Sequence, residues 1–136
     1  GIIMSWAAIN NNITGEIILL YISAIFWTLG YDTIYGTQDV SDDEIIGLKS
    51  TSIKFKKNIK LFVSISYFIA SFILIYLFFE NMSFNLSTFF IFLFIGSLIF
   101  QILKFNKSKP LYCLNIFRMN NFSGLFLFFG IILINL

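Results

Sequence analysis

The sequence predicts an all-α protein, a multi-pass transmembrane helical bundle with about four full spans plus the end of another. Three observations carry that reading. Of 136 residues, 58% are hydrophobic and only 12% charged, against roughly a quarter charged in soluble domains. Three stretches lack charge altogether, 61–79, 81–103 and 119–136, each close to the ~20 residues a helix needs to cross ~30 Å of hydrocarbon. The nine basic residues fall in two clusters between such stretches. Backbone groups within lipid must be paired inside their own segment, so apolar runs of this length are helices rather than open sheet.

The elements follow in order. The chain opens on "GIIMSWAAIN", an uncharged run that stops at Gly15. It is too short for a span plus a turn and reads as the tail of a helix whose beginning lies upstream. No basic segment precedes it and no small-residue cleavage site follows, which argues against a signal peptide. A first full span is expected over about 14–35, broken only by Glu16 and Asp32 near its ends. The second is 61–79 and the third 81–103, and the turn between them is so short that these helices must run antiparallel. Around the only proline, Pro110, "KFNKSKPLYCLNIFRMNN" is expected to form a short interfacial helix ahead of the last span, 119–136. The 19 phenylalanines read chiefly as packing and lipid-facing groups.

Lys49, Lys54, Lys56, Lys57 and Lys60 precede the second span, and Lys104, Lys107, Lys109 and Arg118 lie between the third and the last. Two helices separate these basic loops, so both fall on one face, which the positive-inside rule makes cytoplasmic. Topology accounts for the lysines, and no nucleic-acid partner is expected. Cys113 is the only cysteine and histidine is absent, which excludes an internal disulfide, imidazole ligation and His-based acid/base chemistry.

The remaining signal is "YDTIYGTQDVSDDEIIGLKST", residues 31–51, where Asp32, Asp39, Asp42 and Asp43 gather four of the seven acidic residues into twelve positions. If the helix continues past Asp32, then Asp32, Tyr35, Asp39 and Asp43 come at i, i+3, i+7 and i+11 and share one face. Like charges so placed at a low-dielectric boundary repel unless a cation neutralises them. A hard divalent ion such as Mg²⁺ typically takes one or two carboxylates together with substrate phosphates. Two readings stay open at this level. One is a solvated loop with Lys49 and the following lysines as counter-charges; the other is a metal-bridged diphosphate site in which Lys49 donates to diphosphate oxygens.

The same residues resemble the second aspartate-rich motif of the UbiA family of intramembrane prenyltransferases, in its 4-hydroxybenzoate polyprenyltransferase branch. Tyr31, Asp32, Thr33, Tyr35, Asp39, Asp42, Asp43, Gly47, Lys49, Ser50 and Thr51 fit the branch pattern, and Gly36 stands where Ala is usual. Cys113, Phe117, Asn120, Asn121, Gly124, Phe128 and Gly130 resemble the family's last loop and helix. The resemblance implies that residues 1–136 are the C-terminal half of a nine-helix fold, the end of its fifth helix and helices six to nine, with 31–51 as a cytoplasmic aspartate-rich motif. The family's first aspartate motif has no counterpart in this sequence, so an N-terminal half carrying it is an implied partner. The implied activity is transfer of a polyprenyl group from polyprenyl diphosphate to 4-hydroxybenzoate in ubiquinone biosynthesis, with Mg²⁺ as cofactor. Asp39 and Asp43 would hold metal, Asp32 and Lys49 would act in catalysis, and Tyr35 and Lys49 would contact substrate. The lipid bilayer is the remaining partner, in a bacterial or mitochondrial inner membrane. Another acceptor, such as a naphthoate, homogentisate or haem, and a non-catalytic remnant or subunit are the competing expectations.

Overall fold

The computed structural model describes residues 1–82, 84–107 and 109–135, which are almost wholly helical. Helix α1, Ile2–Asn10, ends at Asn11, which adopts a left-handed conformation (φ 53°). Helix α2, Gly15–Gly36, starts from an extended Thr14 and carries Glu16 in its first turn, where a carboxylate complements the helix dipole. Two short helices, α3 (Val40–Ile45) and α4 (Thr51–Lys54), lead into α5, Ile59–Phe78. A 3₁₀ turn, Phe79–Asn81, follows, and α6, Leu86–Lys104, begins at Asn85, whose Oδ1 accepts from the Thr88 N–H at 2.9 Å. That capping bond satisfies one of the orphan donors of the first turn. The chain closes with α7, Pro110–Ile132, and a 3₁₀ turn, Leu133–Asn135.

Helices α2, α5 with its 3₁₀ extension, and α6 are long and apolar enough to span a membrane. The expected fourth span is different in kind. Helix α7 has 23 residues, enough to cross, but its first half carries Asn115, Arg118, Asn120 and Asn121. The separate interfacial helix expected after Pro110 does not exist, because α7 runs unbroken from that residue to Ile132. Proline at the first helical position starts a helix at no hydrogen-bond cost. Further along, Asn120 finds a partner across the bundle, its Oδ1 accepting from Trp27 Nε1 at 2.9 Å, so the polar residues give the helix no reason to stop.

Four antiparallel contacts build the bundle: α2 on α5, α6 on α7, α2 on α7 and, more lightly, α5 on α6. Between helices that lipid solvates as well as they solvate each other, small residues and hydrogen bonds decide the fit. Gly30 lets α2 close on α5: a Cβ there would collide with the Tyr67 ring. Ser23 Oγ donates to the Ala70 carbonyl at 2.9 Å, and Ser87 Oγ to the Gly130 carbonyl at 2.7 Å. At the centre the Tyr67 hydroxyl donates to Gln101 Oε1 at 2.7 Å, Gln101 Nε2 donates to Ser123 Oγ at 2.9 Å, and Ser97 Oγ lies 2.7 Å from Ser123 Oγ. Tyr67, Gln101 and Ser123 are all buried, so one satisfied polar chain joins α5, α6 and α7. Ile34, Val63, Leu74, Phe94, Leu98 and Ile116 pack around it.

Tyr67→Phe keeps the ring and removes only the hydroxyl; reversible unfolding in mixed micelles should show a loss of about 1 kcal/mol. Gln101→Leu should interact non-additively with it in a double-mutant cycle. Gly30→Ala, which drives a methyl into the same ring, should cost more, about 1–3 kcal/mol.

Candidate functional site

The acidic segment owes its shape to one residue of α2. Thr33 is fully buried. Its carbonyl, the acceptor that the N–H of residue 37 would use in a continuing helix, receives the Thr37 hydroxyl at 2.8 Å and the Ser52 hydroxyl at 3.1 Å. Side chains have replaced the backbone donor, and the last turn tightens instead, with Thr37 N donating to the Ile34 carbonyl at 3.3 Å and Gln38 N to that of Tyr35 at 3.2 Å. The Thr33 hydroxyl lies 2.6 Å from the Leu29 carbonyl and 2.8 Å from Thr51 Oγ1. Helix α4 is thereby docked on the end of α2. Gly36 permits that approach, since a Cβ there would stand 2.5 Å from Ser52 Oγ.

One expectation is corrected as a result. Asp32, Tyr35, Asp39 and Asp43 do not share the face of one helix: α2 ends at Gly36, and Asp39 is the residue from which α3 starts. Asp39 and Asp43 do remain one turn apart, the Asp43 N–H donating to the Asp39 carbonyl at 2.8 Å. Val40, buried, anchors α3 to the bundle. The far end of α3 closes through Gly47 at φ 74°, with Gly47 N donating to the Glu44 carbonyl at 3.3 Å and Leu48 N to that of Asp43 at 2.9 Å. These two bonds and a left-handed residue form a Schellman stop. The reversal brings Lys49 to the start of α4, where Ser50 Oγ accepts from the Ile53 N–H at 3.3 Å.

Asp32, Tyr35, Asp39 and Lys49 are exposed and Asp43 is half-buried. The one salt bridge among the described residues joins Lys56 to Glu44 at 2.7 Å, with both side chains well exposed, so lysine compensation reaches Glu44 and not the candidate aspartates. No group of three or more His, Cys, Asp or Glu converges among the described residues. What the chain does offer a hard cation is two uncompensated carboxylates one turn apart, which fits part of an oxygen donor set whose remainder comes from phosphate and water.

Beside this segment stands an aromatic wall that spacing alone did not reveal. Trp27, Tyr31 and Tyr35 repeat at i, i+4 and i+8 along α2 and meet α7. Tyr35 packs on Phe117 with ring centroids 4.8 Å apart and Tyr31 on the same ring at 5.9 Å. Trp27 meets Phe94 edge-on at 5.2 Å, and a Cβ at Gly124 would lie 3.3 Å from its ring. Phe117, Asn120 and Gly124, singled out in sequence only as a pattern, therefore hold α7 against α2. Thr33, Thr51 and Ser52 carry the clamp; hydroxyl residues flanking an acidic run were the only sequence signal for it.

Thr33→Val, which removes the hydroxyl that reaches Thr51, should leave helix content intact by circular dichroism yet hasten tryptic cleavage after Lys49 and Lys54. Gly47→Ala, which puts a Cβ into a left-handed position at about 1–2 kcal/mol, should do the same.

Comparison with known proteins gives the segment a context. The chain is 35% identical over its whole length to "4-hydroxybenzoate polyprenyltransferase, mitochondrial" of Bos taurus and 36% identical to the protein of that name from Homo sapiens, covering 37% of each. It is 34% identical over 97% of its length to "4-hydroxybenzoate geranyltransferase 2" of Lithospermum erythrorhizon, covering 45% of it. The chain thus spans less than half the length of these relatives. No solved structure matches it. The sequence model of the UbiA prenyltransferase family matches residues 1–132, and with three helices fit to span a bilayer the chain is an integral membrane protein that belongs to the UbiA prenyltransferase family.

Proposed function

We propose that this chain is the C-terminal half of a membrane aromatic prenyltransferase that moves a polyprenyl group from polyprenyl diphosphate to 4-hydroxybenzoate, in the synthesis of ubiquinone. The observation that carries the reading is the pair Asp39 and Asp43, one turn apart and uncompensated by any lysine among the described residues, just past the end of the apolar helix α2. The names of the relatives support the acceptor and the prenyl donor.

Asp39 and Asp43 would hold Mg²⁺, which when bound supplies positive charge to offset that growing on the departing diphosphate. Lys49, exposed and beside the reversal at Gly47, donates to diphosphate oxygens as a mobile point charge. Asp32, on the last turns of α2, orients the hydroxyl of the acceptor. Tyr35, packed against Phe117 with the rings tilted, contacts the aromatic acceptor. The allylic C–O bond breaks with its electron pair leaving on diphosphate. The ring carbon ortho to the acceptor hydroxyl forms the new C–C bond and then loses its proton. An N-terminal half with its own aspartates completes the site.

The chain alone in membranes should form no prenylated hydroxybenzoate, whereas co-expression with a matching N-terminal half should restore product. In that pair Asp39→Ala and Asp43→Ala should each lower turnover by about 10²–10³-fold, and EDTA should abolish activity that added Mg²⁺ restores. Full turnover by the chain alone, or by the paired aspartate variants, would sink the assignment.

A further inference from the structure

A second charged feature lies apart from the aspartate segment. Lys57, Asn58 and Lys60 at the start of α5 face Asn106 and Lys107 from the α6–α7 connection across a cavity of about 390 Å³, floored by buried Ile59 and Phe105. The three lysines are exposed, and the one salt bridge among the described residues uses Lys56 instead. Two loops far apart in sequence thus bring three ammonium groups around one concavity at the basic end of the bundle, and the positive end of α5 adds to their potential. Among the described residues nothing acidic lines the cavity. Its size falls among those that hold whole small-molecule ligands, ~300–1,000 Å³.

The cavity adjoins an apolar helix face. Leu61 forms part of its lining, and from Leu61 an exposed apolar stripe continues along α5 through Ile65, Phe68 and Phe72, at the i, i+4, i+7, i+11 spacing of one helix face. An anion held among the lysines would therefore carry its apolar part directly along a lipid-facing track. Free phosphate has no use for such a track; an acyl chain does.

We propose that this cavity binds the phosphate headgroup of an anionic phospholipid, with Lys57, Lys60 and Lys107 pairing with its charge and the Leu61–Phe72 face of α5 receiving an acyl chain. Basic pockets between helices at the cytoplasmic surface recognise anionic headgroups in this way. The site is separate from the aspartate segment and seats the bundle in the inner leaflet.

The test is native mass spectrometry of the whole chain, purified in detergent and titrated with phosphatidylglycerol or phosphatidylcholine of matched acyl chains. Phosphatidylglycerol should bind at least about tenfold more tightly. Lys57→Ala, Lys60→Ala and Lys107→Ala together should erase that preference, and Lys107→Glu alone should remove most of it. Lys54→Ala, Lys104→Ala and Lys109→Ala together delete equal charge outside the cavity and should retain it. Millimolar inorganic phosphate should not displace the lipid. Equal binding of the two lipids, an equal loss in the outside-lysine variant, or displacement by phosphate would each overturn the proposal, the last in favour of a free-phosphate site.

Discussion

A carbonyl that accepts two hydroxyl donors is no longer free to carry a helix forward, and the carbonyl of Thr33 is in that position. Bonding to Thr37 and Ser52 ends α2 at Gly36, turns the aspartate segment out of the bundle, and ties the returning chain, through α4, to the helix it left. The carboxylates hang between two anchored points. The segment can be highly charged because its ends are held by neutral hydroxyls that are themselves satisfied, and charge is left to whatever binds there.

The same economy governs the interior. A bundle in lipid gains little from burying one apolar helix against another, so its specificity comes from close approach and from polar groups that must find partners. Gly30 supplies the approach for α2 and α5. The chain from Tyr67 through Gln101 to Ser123 ties α5 and α6 to α7, and the bond from Trp27 to Asn120 returns α7 to α2. These contacts close a circuit around the helices that position the aspartate segment. The aromatic residues of α2 are then held on α7, with Tyr31 and Tyr35 both packed on Phe117.

Much of this was legible without coordinates. Unbroken apolar runs identified the helices, because lipid leaves the backbone no other way to pair its polar groups. The acidic run and its flanking Tyr, Gly and Lys-Ser-Thr residues identified the segment to watch. Two readings failed for a common reason. The face shared by Asp32 and Asp43 assumed a helix that nothing interrupts, and the interfacial helix after Pro110 assumed an interruption that does not occur. In each case a side-chain hydrogen bond to another element, Ser52 onto the Thr33 carbonyl or Trp27 onto Asn120, accompanies the outcome, and sequence spacing does not report such partners.

By itself, then, the sequence determined that the long apolar runs are helices, that the chain lives in a membrane, which end of the bundle is basic, and which short stretch carries its acidic chemistry, since all of these follow from local composition and period. Only the tertiary structure decided where α2 stops, how Asp39 and Asp43 are presented, which aromatic rings pack α2 against α7, and that lysines from two distant loops surround one cavity. Those outcomes depend on donors and acceptors brought together from residues as far apart as Trp27 and Asn120, a pairing that exists only once the helices have packed.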